Sequence, residues 1–203
     1  MARQPLHSHT NDDALPGLPG EQQARFTRRR FLGTLAAGIA GTLLLPADEV
    51  FAKAFAQRRQ ISLHHMHTDE KFQIVCCPSR YYDKAVLHRF SEFLRDPRTE
   101  QIHRIDAGLL DILVAVAALT HSQGTFQVLS GYRSPETNAM LHHTSSGVAE
   151  HSQHTMGKAI DVRLSDVSTK MLHRAGLALK RGGVGYYKQS DFVHLDTGKF
   201  RTW

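Results

Sequence analysis

Three side chains in the C-terminal third carry the strongest chemical signal. His154 and Asp161 lie seven residues apart, the first in a glycine-containing loop, Ser152-Gln153-His154-Thr155-Met156-Gly157, and the second in a strand-like run, Ala159–Leu164. A loop that turns back toward the strand can aim both at one ion. Thirty-three residues further on, His194 sits in Phe192-Val193-His194-Leu195-Asp196, where alternation sends Val193 and Leu195 to one face and His194 to the other. Two histidines and one carboxylate are a frequent catalytic zinc set that leaves a fourth position open to water. Zinc there lowers the pKa of its water to about 7, the kind of nucleophile amide hydrolysis needs. Spacing alone is equally compatible with two of the 14 histidines hydrogen-bonding at the surface beside a strand-end carboxylate.

Neighbouring residues bear on that cluster. His151, three residues before His154, reads as a loop residue that touches substrate. Ser152 can bond the loop backbone or substrate, and Gly157 permits a turn conformation closed to side chains. Asp196 shares a strand face with His194 and is placed to orient it through its second ring nitrogen. Another run, His64-His65-Met66-His67, reads as a solvent-exposed stretch, with a second metal site as the alternative. Adjacent Cys76 and Cys77 are too close for an ordinary disulfide, because neighbouring α carbons are ~3.8 Å apart; buried, inert thiols are expected.

The elements that must hold these residues follow from apolar spacing. Ile61–Val75 alternates and predicts a hairpin or a pair of short strands. Val86, Leu87, Phe90, Phe93 and Leu94 predict a helix over 82–94 that ends near Asp96-Pro97. Leu109, Leu110, Ile112, Leu113, Val116 and Leu119 cover most of a second helix, capped by Asp106 and buried in the core. Phe126–Leu129 and Ala159–Leu164 read as strands, and Pro135 opens a short helix behind Ser134. Ser168 caps a helix carrying Met171, Leu172, Ala175 and Leu179, and Val184–Tyr187 and Phe192–Leu195 close the chain as strands. Helices early and strands late imply an α+β fold, an antiparallel sheet flanked by helices.

The stretch SxHxxGxAxD at 152–161, with SGYRSPETN at 130–138, resembles the zinc peptidases of the M15 type, which share the D-alanyl-D-alanine peptidase fold. GGVGYY at 182–187 and FVHLDTG at 192–198 extend the likeness to their periplasmic murein endopeptidase branch, over 61–203. The resemblance implies a zinc-dependent hydrolase of peptide cross-links in peptidoglycan, with Zn2+ held by His154, Asp161 and His194. It implies that Arg133 binds the substrate carbonyl or carboxylate and stabilises the oxyanion, a role suited to a fixed, planar, permanently charged fork; a structural ion pair is the alternative. Tyr132, His151 and Ser152 are the candidate substrate contacts. Better-known members carry Glu three residues before the last histidine, whereas this chain has Asp191. Asp191 is therefore the candidate general base, or else a solvated turn residue. The missing Glu favours the alternative of a catalytically silent, metal-containing peptidoglycan-binding domain.

The N-terminus sets the compartment. Thr27-Arg28-Arg29-Arg30-Phe31-Leu32 leads into an uncharged run from Leu32 to Leu45, the order of a secretory signal, and its paired arginines resemble the twin-arginine type. AKAFA offers small-x-small cleavage near 54–56. Residues 1–54 are thus expected to be a signal engaging the twin-arginine export machinery and 57–203 a zinc peptidase domain in the periplasm. An uncleaved anchor is the alternative, since a spanning helix needs ~20 apolar residues; once the signal is cut, no stable membrane insertion is expected. The chain of 203 residues is 41% hydrophobic with two cysteines, which excludes both a disordered chain and a disulfide-stapled mini-domain. A net charge of +6 favours anionic partners, but Lys and Arg are dispersed and no nucleic-acid recognition module is evident.

Overall fold

The structure is a computed structural model and describes residues 46–203 apart from 57, 58, 77, 78, 80 and 146. The arginine-led signal stretch and Cys77 lie outside the described residues. Within them the chain forms helix α1 (Ala47–Ala54), strands β1 (Arg59–His65) and β2 (Lys71–Cys76), helices α2 (Lys84–Phe93) and α3 (Gly108–Leu119), strand β3 (Thr125–Ser130) and helix α4 (Pro135–Thr144). A 3₁₀ turn (Gln153–Met156) precedes β4 (Ala159–Leu164), α5 (Thr169–Leu179), β5 (Gly183–Tyr187), β6 (Phe192–Asp196) and β7 (Arg201–Thr202).

Helix boundaries follow side-chain chemistry. Asp83, Ser134 and Ser168 accept N–H bonds from Ala85, Thr137 and Met171 and so cap α2, α4 and α5. Asp106 caps α3 one residue early, accepting the Gly108 N–H at 2.9 Å. Every residue of α3 from Ile112 to Leu119 is buried, as its all-round apolar surface requires.

The strands form one seven-stranded sheet in the order β2-β1-β3-β4-β6-β5-β7. The α+β class holds, and the sheet is mixed: β1–β3 and β5–β7 run parallel, the other pairs antiparallel. The parallel β1–β3 pairing arises because antiparallel β2 returns the chain to the end where β1 began, and the segment holding α2 and α3 then delivers β3 to the other side of β1 in the same direction. Helices α3 and α5 cover one face, where Phe126, Val128, Ile160, Val162, Val193 and Leu195 are buried. The opposite face of β4 and β6 carries Asp161 and His194.

Helix α1 was not expected in the folded unit. Val50, Phe51, Ala54 and Phe55 are buried against α3 and α5, and the Arg181 guanidinium lies 4.6 Å from the Phe51 ring centre. The expected boundary near 54–56 therefore falls inside the core. Among the described residues no helix is long and apolar enough to cross a membrane.

The 64–67 histidine run is not a uniformly exposed stretch. His65, at the end of β1, is fully buried, with Nδ1 accepting the His67 and Thr68 N–H groups and its ring edge-on to Phe93. Burial, then the neighbouring His67, pushes its pKa down to about 4 from 6.5. Between those values the unfolded chain holds a proton that the native imidazole refuses, so stability falls as pH drops through the window. We predict a loss of about 2 kcal/mol between pH 6.5 and 5 from this residue. Urea titrations at both pH values should show a smaller pH difference in His65→Asn; an equal difference would refute the assignment.

Candidate metal centre

Three segments bring the expected ligands to one point. Asp161 stands directly opposite His194 in the β4–β6 register, so both leave the sheet on the same face. His154 arrives from the 3₁₀ turn, whose first N–H groups include that of His154 bonded to Ser152 Oγ at 3.3 Å. Gly157, at φ 64°, reverses the chain into β4, and a Cβ there would collide with the Arg104 carbonyl. All three side chains are buried.

Hydrogen bonds assign the ring roles. His154 Nδ1 lies 2.7 Å from the Gly131 carbonyl, to which it can only donate, leaving Nε2 as a lone pair. His194 Nε2 lies 3.1 Å from Asp196 Oδ2 and donates there, leaving Nδ1 as a lone pair. These two nitrogens and Asp161 Oδ1 face one another at 3.2, 2.8 and 3.3 Å. Tetrahedral zinc with bonds of about 2.0–2.1 Å puts donor atoms ~3.3 Å apart, so the donor set fits a divalent ion held by three protein ligands.

The electrostatics agree. Burial pushes the His154 imidazole down. Burial also opposes charge on Asp161, but His154 and His194 hold its carboxyl well below the usual carboxylate range. For His194 the bonds to Asp161 and Asp196 outweigh burial and hold the imidazole above its ordinary value. Asp196 is fully buried and fully used: Oδ1 accepts the Gly183 and Gly198 N–H groups at 2.8 Å each, and Oδ2 accepts Arg201 Nη2 at 2.6 Å. Those donors outweigh the burial cost and keep it ionised.

The cluster lies at a cleft of about 440 Å³. Arg133 lines it, donating from Nη2 to Asp161 Oδ2 at 2.7 Å and from Nε to Ser130 Oγ at 2.8 Å. Its Nη1 has no hydrogen-bond partner among the described residues. His151, exposed, and Ser152 also line the cleft, with Ser145, Gly147, Val148 and Ala149; Asn138 Nδ2 ties this side to α4 through the Ala149 and Glu150 carbonyls.

Two expected site residues are placed elsewhere. Asp191 does not reach the cleft: it occupies the turn before β6 at φ 51°, and its carboxylate accepts the Thr169 hydroxyl at 2.6 Å. Asp191 lies outside β6, so strand alternation does not set its direction, and its left-handed backbone turns it toward Thr169 at the start of α5. Tyr132 is buried, its ring stacked 4.9 Å from that of His103, and it does not line the cleft.

The aromatic wall is the part that spacing missed. Tyr187 and Phe192 stack at 4.5 Å, Trp203 Nε1 donates to the Tyr187 hydroxyl at 2.9 Å, and the indole lies 5.2 Å from the His194 ring. Trp203 follows a two-residue strand, too short for periodicity to reveal; its only signal is that it is the sole tryptophan.

A mixed-sheet α+β domain with a two-histidine, one-aspartate cluster at the base of a cleft is a hydrolase scaffold of the M15 peptidase type. The family model described as peptidoglycan L,D-endopeptidase MepK matches residues 53–203, and the chain belongs to that M15 family. The match begins inside α1, earlier than the likeness read from the motifs. The chain is 36% identical over 175 residues to the peptidoglycan L,D-endopeptidase MepK of Escherichia coli K12, covering 86% of this chain and 96% of that protein. It is 34% identical over 173 residues to the probable peptidoglycan L,D-endopeptidase MepK of Haemophilus influenzae, covering 85% and 91%.

Gly185 opposes His194 in the β5–β6 pair, and a Cβ there would lie 2.5 Å from the Trp203 ring. Because the indole hangs from the residue after a two-residue edge strand, it yields before the sheet does. Gly185→Ala is expected to cost less than about 2 kcal/mol while moving the emission of the single tryptophan to longer wavelength and exposing it to acrylamide quenching. An unchanged spectrum would contradict this packing.

Proposed function

We propose that the protein is a zinc-dependent endopeptidase that hydrolyses peptide cross-links in peptidoglycan. The observation that carries this reading is the convergence of His154 Nε2, His194 Nδ1 and Asp161 Oδ1 at tetrahedral spacing in a chain of this family. The relatives are described as L,D-endopeptidases. Of the two cross-links considered for such an enzyme, diaminopimelate–diaminopimelate joins an L-centre carbonyl to a D-centre amine, whereas D-alanine–diaminopimelate joins two D centres. The first is the proposed target. The acting compartment is the periplasm, reached by the twin-arginine route that the Arg28–Arg30 stretch resembles.

When bound, zinc supplies Lewis-acid polarisation and an activated water nucleophile. The chain supplies the rest. Arg133 fixes the orientation of Asp161 with Nη2 and keeps Nη1 for the substrate oxygen that gains charge. Asp196 holds the His194 tautomer. Tyr187, Phe192 and Trp203 pack the peptide and thin the water around the reacting bond. Among side chains lining the cleft, only imidazoles accept a proton readily near neutral pH; His154 and His194 are committed as ligands, so His151 carries the proton from water to the leaving amine.

Zinc content and hydrolysis should fall together. His154→Ala, Asp161→Ala and His194→Ala are each expected to lose stoichiometric zinc and more than about 100-fold of the activity on defined diaminopimelate-linked muropeptides, several kcal/mol of transition-state stabilisation. Chelation should abolish wild-type activity and zinc should restore it. Full hydrolysis by a metal-free triple variant would overturn the reading, and a wild-type protein that sediments with sacculi yet releases no fragment would establish the silent wall-binding domain instead.

His151→Ala is expected to lower kcat by about 100-fold with KM within about threefold, the size of a general acid–base contribution. A change confined to KM would make His151 a substrate contact only.

A further inference from the structure

A second hollow, of about 850 Å³, lies across the 3₁₀ turn and Gly157 from the cleft. Its walls come from the start of α2, from residues 102–107 and from Met156 and Lys158. Lys84, Arg104 and Lys158 line it, all exposed and none engaged in an ion pair among the described residues. The one carboxylate in its wall, Asp106, is already taken by the Gly108 N–H at 2.9 Å and the Thr197 hydroxyl at 2.8 Å. His88 also lines the hollow, 3.3 Å from Glu92, which is not part of the lining. Three cations against one carboxylate leave the concavity net positive, a potential that concentrates anions. Ile102 and Met156, 53% and 45% exposed, add apolar surface between the charges.

The hollow is joined to the catalytic side. The Asp106 N–H donates to the Gly157 carbonyl at 2.9 Å. His103 stacks on Tyr132, which stands between Gly131, the acceptor of His154 Nδ1–H, and Arg133. Cleft and hollow therefore share a wall one chain segment thick. A cross-link joins two peptides, and a cleft of about 440 Å³ holds only the residues around the scissile bond. The rest of the substrate lies outside the cleft, and the hollow is the concavity that adjoins it.

We propose that the Lys84–Arg104–Lys158 hollow is a second substrate site, which binds the carboxylate-bearing stem peptide of the strand whose other end occupies the cleft. The site rests on the peptidoglycan reading given above. Its chemistry matches: free carboxylates meet ammonium and guanidinium groups, and the aliphatic stems of the peptide meet Ile102 and Met156.

The test separates binding from cleavage. An uncross-linked stem tetrapeptide with free carboxylates, which contains no cross-link to cut, is titrated into zinc-loaded full-length protein and followed by calorimetry and by amide shifts of Ile102, Arg104 and Lys158. Wild type should bind it about tenfold more tightly than Lys84→Gln/Arg104→Gln/Lys158→Gln, as expected for three exposed charge pairs. The difference should shrink at high salt. With cross-linked dimers, the triple variant should show a KM raised about tenfold and kcat within twofold of wild type. Equal peptide affinity in the two proteins, unshifted amides at the hollow, equal affinity for the amidated tetrapeptide, or inorganic phosphate competing as well as the peptide would each overturn the proposal. Peptide binding that depends on the three cations in a protein that cuts no dimer would keep the site and refute the endopeptidase reading instead.

Discussion

Three lone pairs pointed at one another from buried side chains are the constraint around which the rest of the molecule is arranged. With His154 Nδ1–H given to the Gly131 carbonyl and His194 Nε2–H given to Asp196, the remaining nitrogens and Asp161 Oδ1 meet as acceptors within 3.3 Å. Each such group, buried without a donor, costs the desolvation it gave up. Positive charge at the centre resolves all three at once. The electrostatics run the same way: despite burial, Asp161 and Asp196 hold His194 above its ordinary value, and the two histidines keep Asp161 ionised. A proton on His194 partly satisfies that demand, and a divalent cation satisfies it with all three donors.

Holding acceptors in mutual repulsion requires a frame that does not relax. The β4–β6 ladder supplies one side: Ile160, Val162, Val193 and Leu195 are locked into the core, so Asp161 and His194 must face the cleft. A slip of one residue would bury the ligands among the helices and expose the valines and leucines, which makes the register costly to lose. The other side is the 131–134 segment. The Tyr132 N–H donates to the Leu94 carbonyl at 2.8 Å, and fully buried Asp96 accepts the Ser134 N–H at 2.8 Å. The end of α2 thus fixes the carbonyl that sets the His154 tautomer, and it fixes Arg133, which sets the Asp161 carboxylate. Burial opposes charge on Asp96, but hydrogen bonds from Thr137, the Arg98 N–H and Ser134 outweigh it and hold its pKa down to about 2.

What the sequence made legible was decided by local periodicity. The alternation around His194 placed it opposite Val193 and Leu195, the Gly157 loop before β4 brought His154 back, and Asp196 was readable as a partner for the second ring nitrogen because it shares parity with His194. Asp191 defeated the same reasoning because a residue outside the strand has no guaranteed face, and its left-handed backbone turns it to Thr169. The parallel β1–β3 pairing depends on a crossover path that local patterns do not encode. The burial of His65 depends on Phe93, far along the chain. Trp203 belongs to the cleft through a two-residue edge strand and through the space that Gly185 leaves, neither of which has a period.

Helix α1 shows how a sequence signal and a packed core can compete for the same residues. The apolar run from Leu32 to Leu45 and the small residues after it have the order of an export signal, which would place a cut near 54–56. Yet Val50, Phe51 and Ala54 are buried with Phe55 against α3 and α5, and Asp48 pairs with Arg181, whose guanidinium also covers Phe51. Burial of a Val or Phe side chain contributes about 1.5–3 kcal/mol, a sizeable part of the stability of a domain this small. An export route that carries folded cargo would meet these residues already buried in the domain. The segment that looks like the end of a leader is also, as helix α1, a strap across the two helices that back the strands carrying Asp161 and His194.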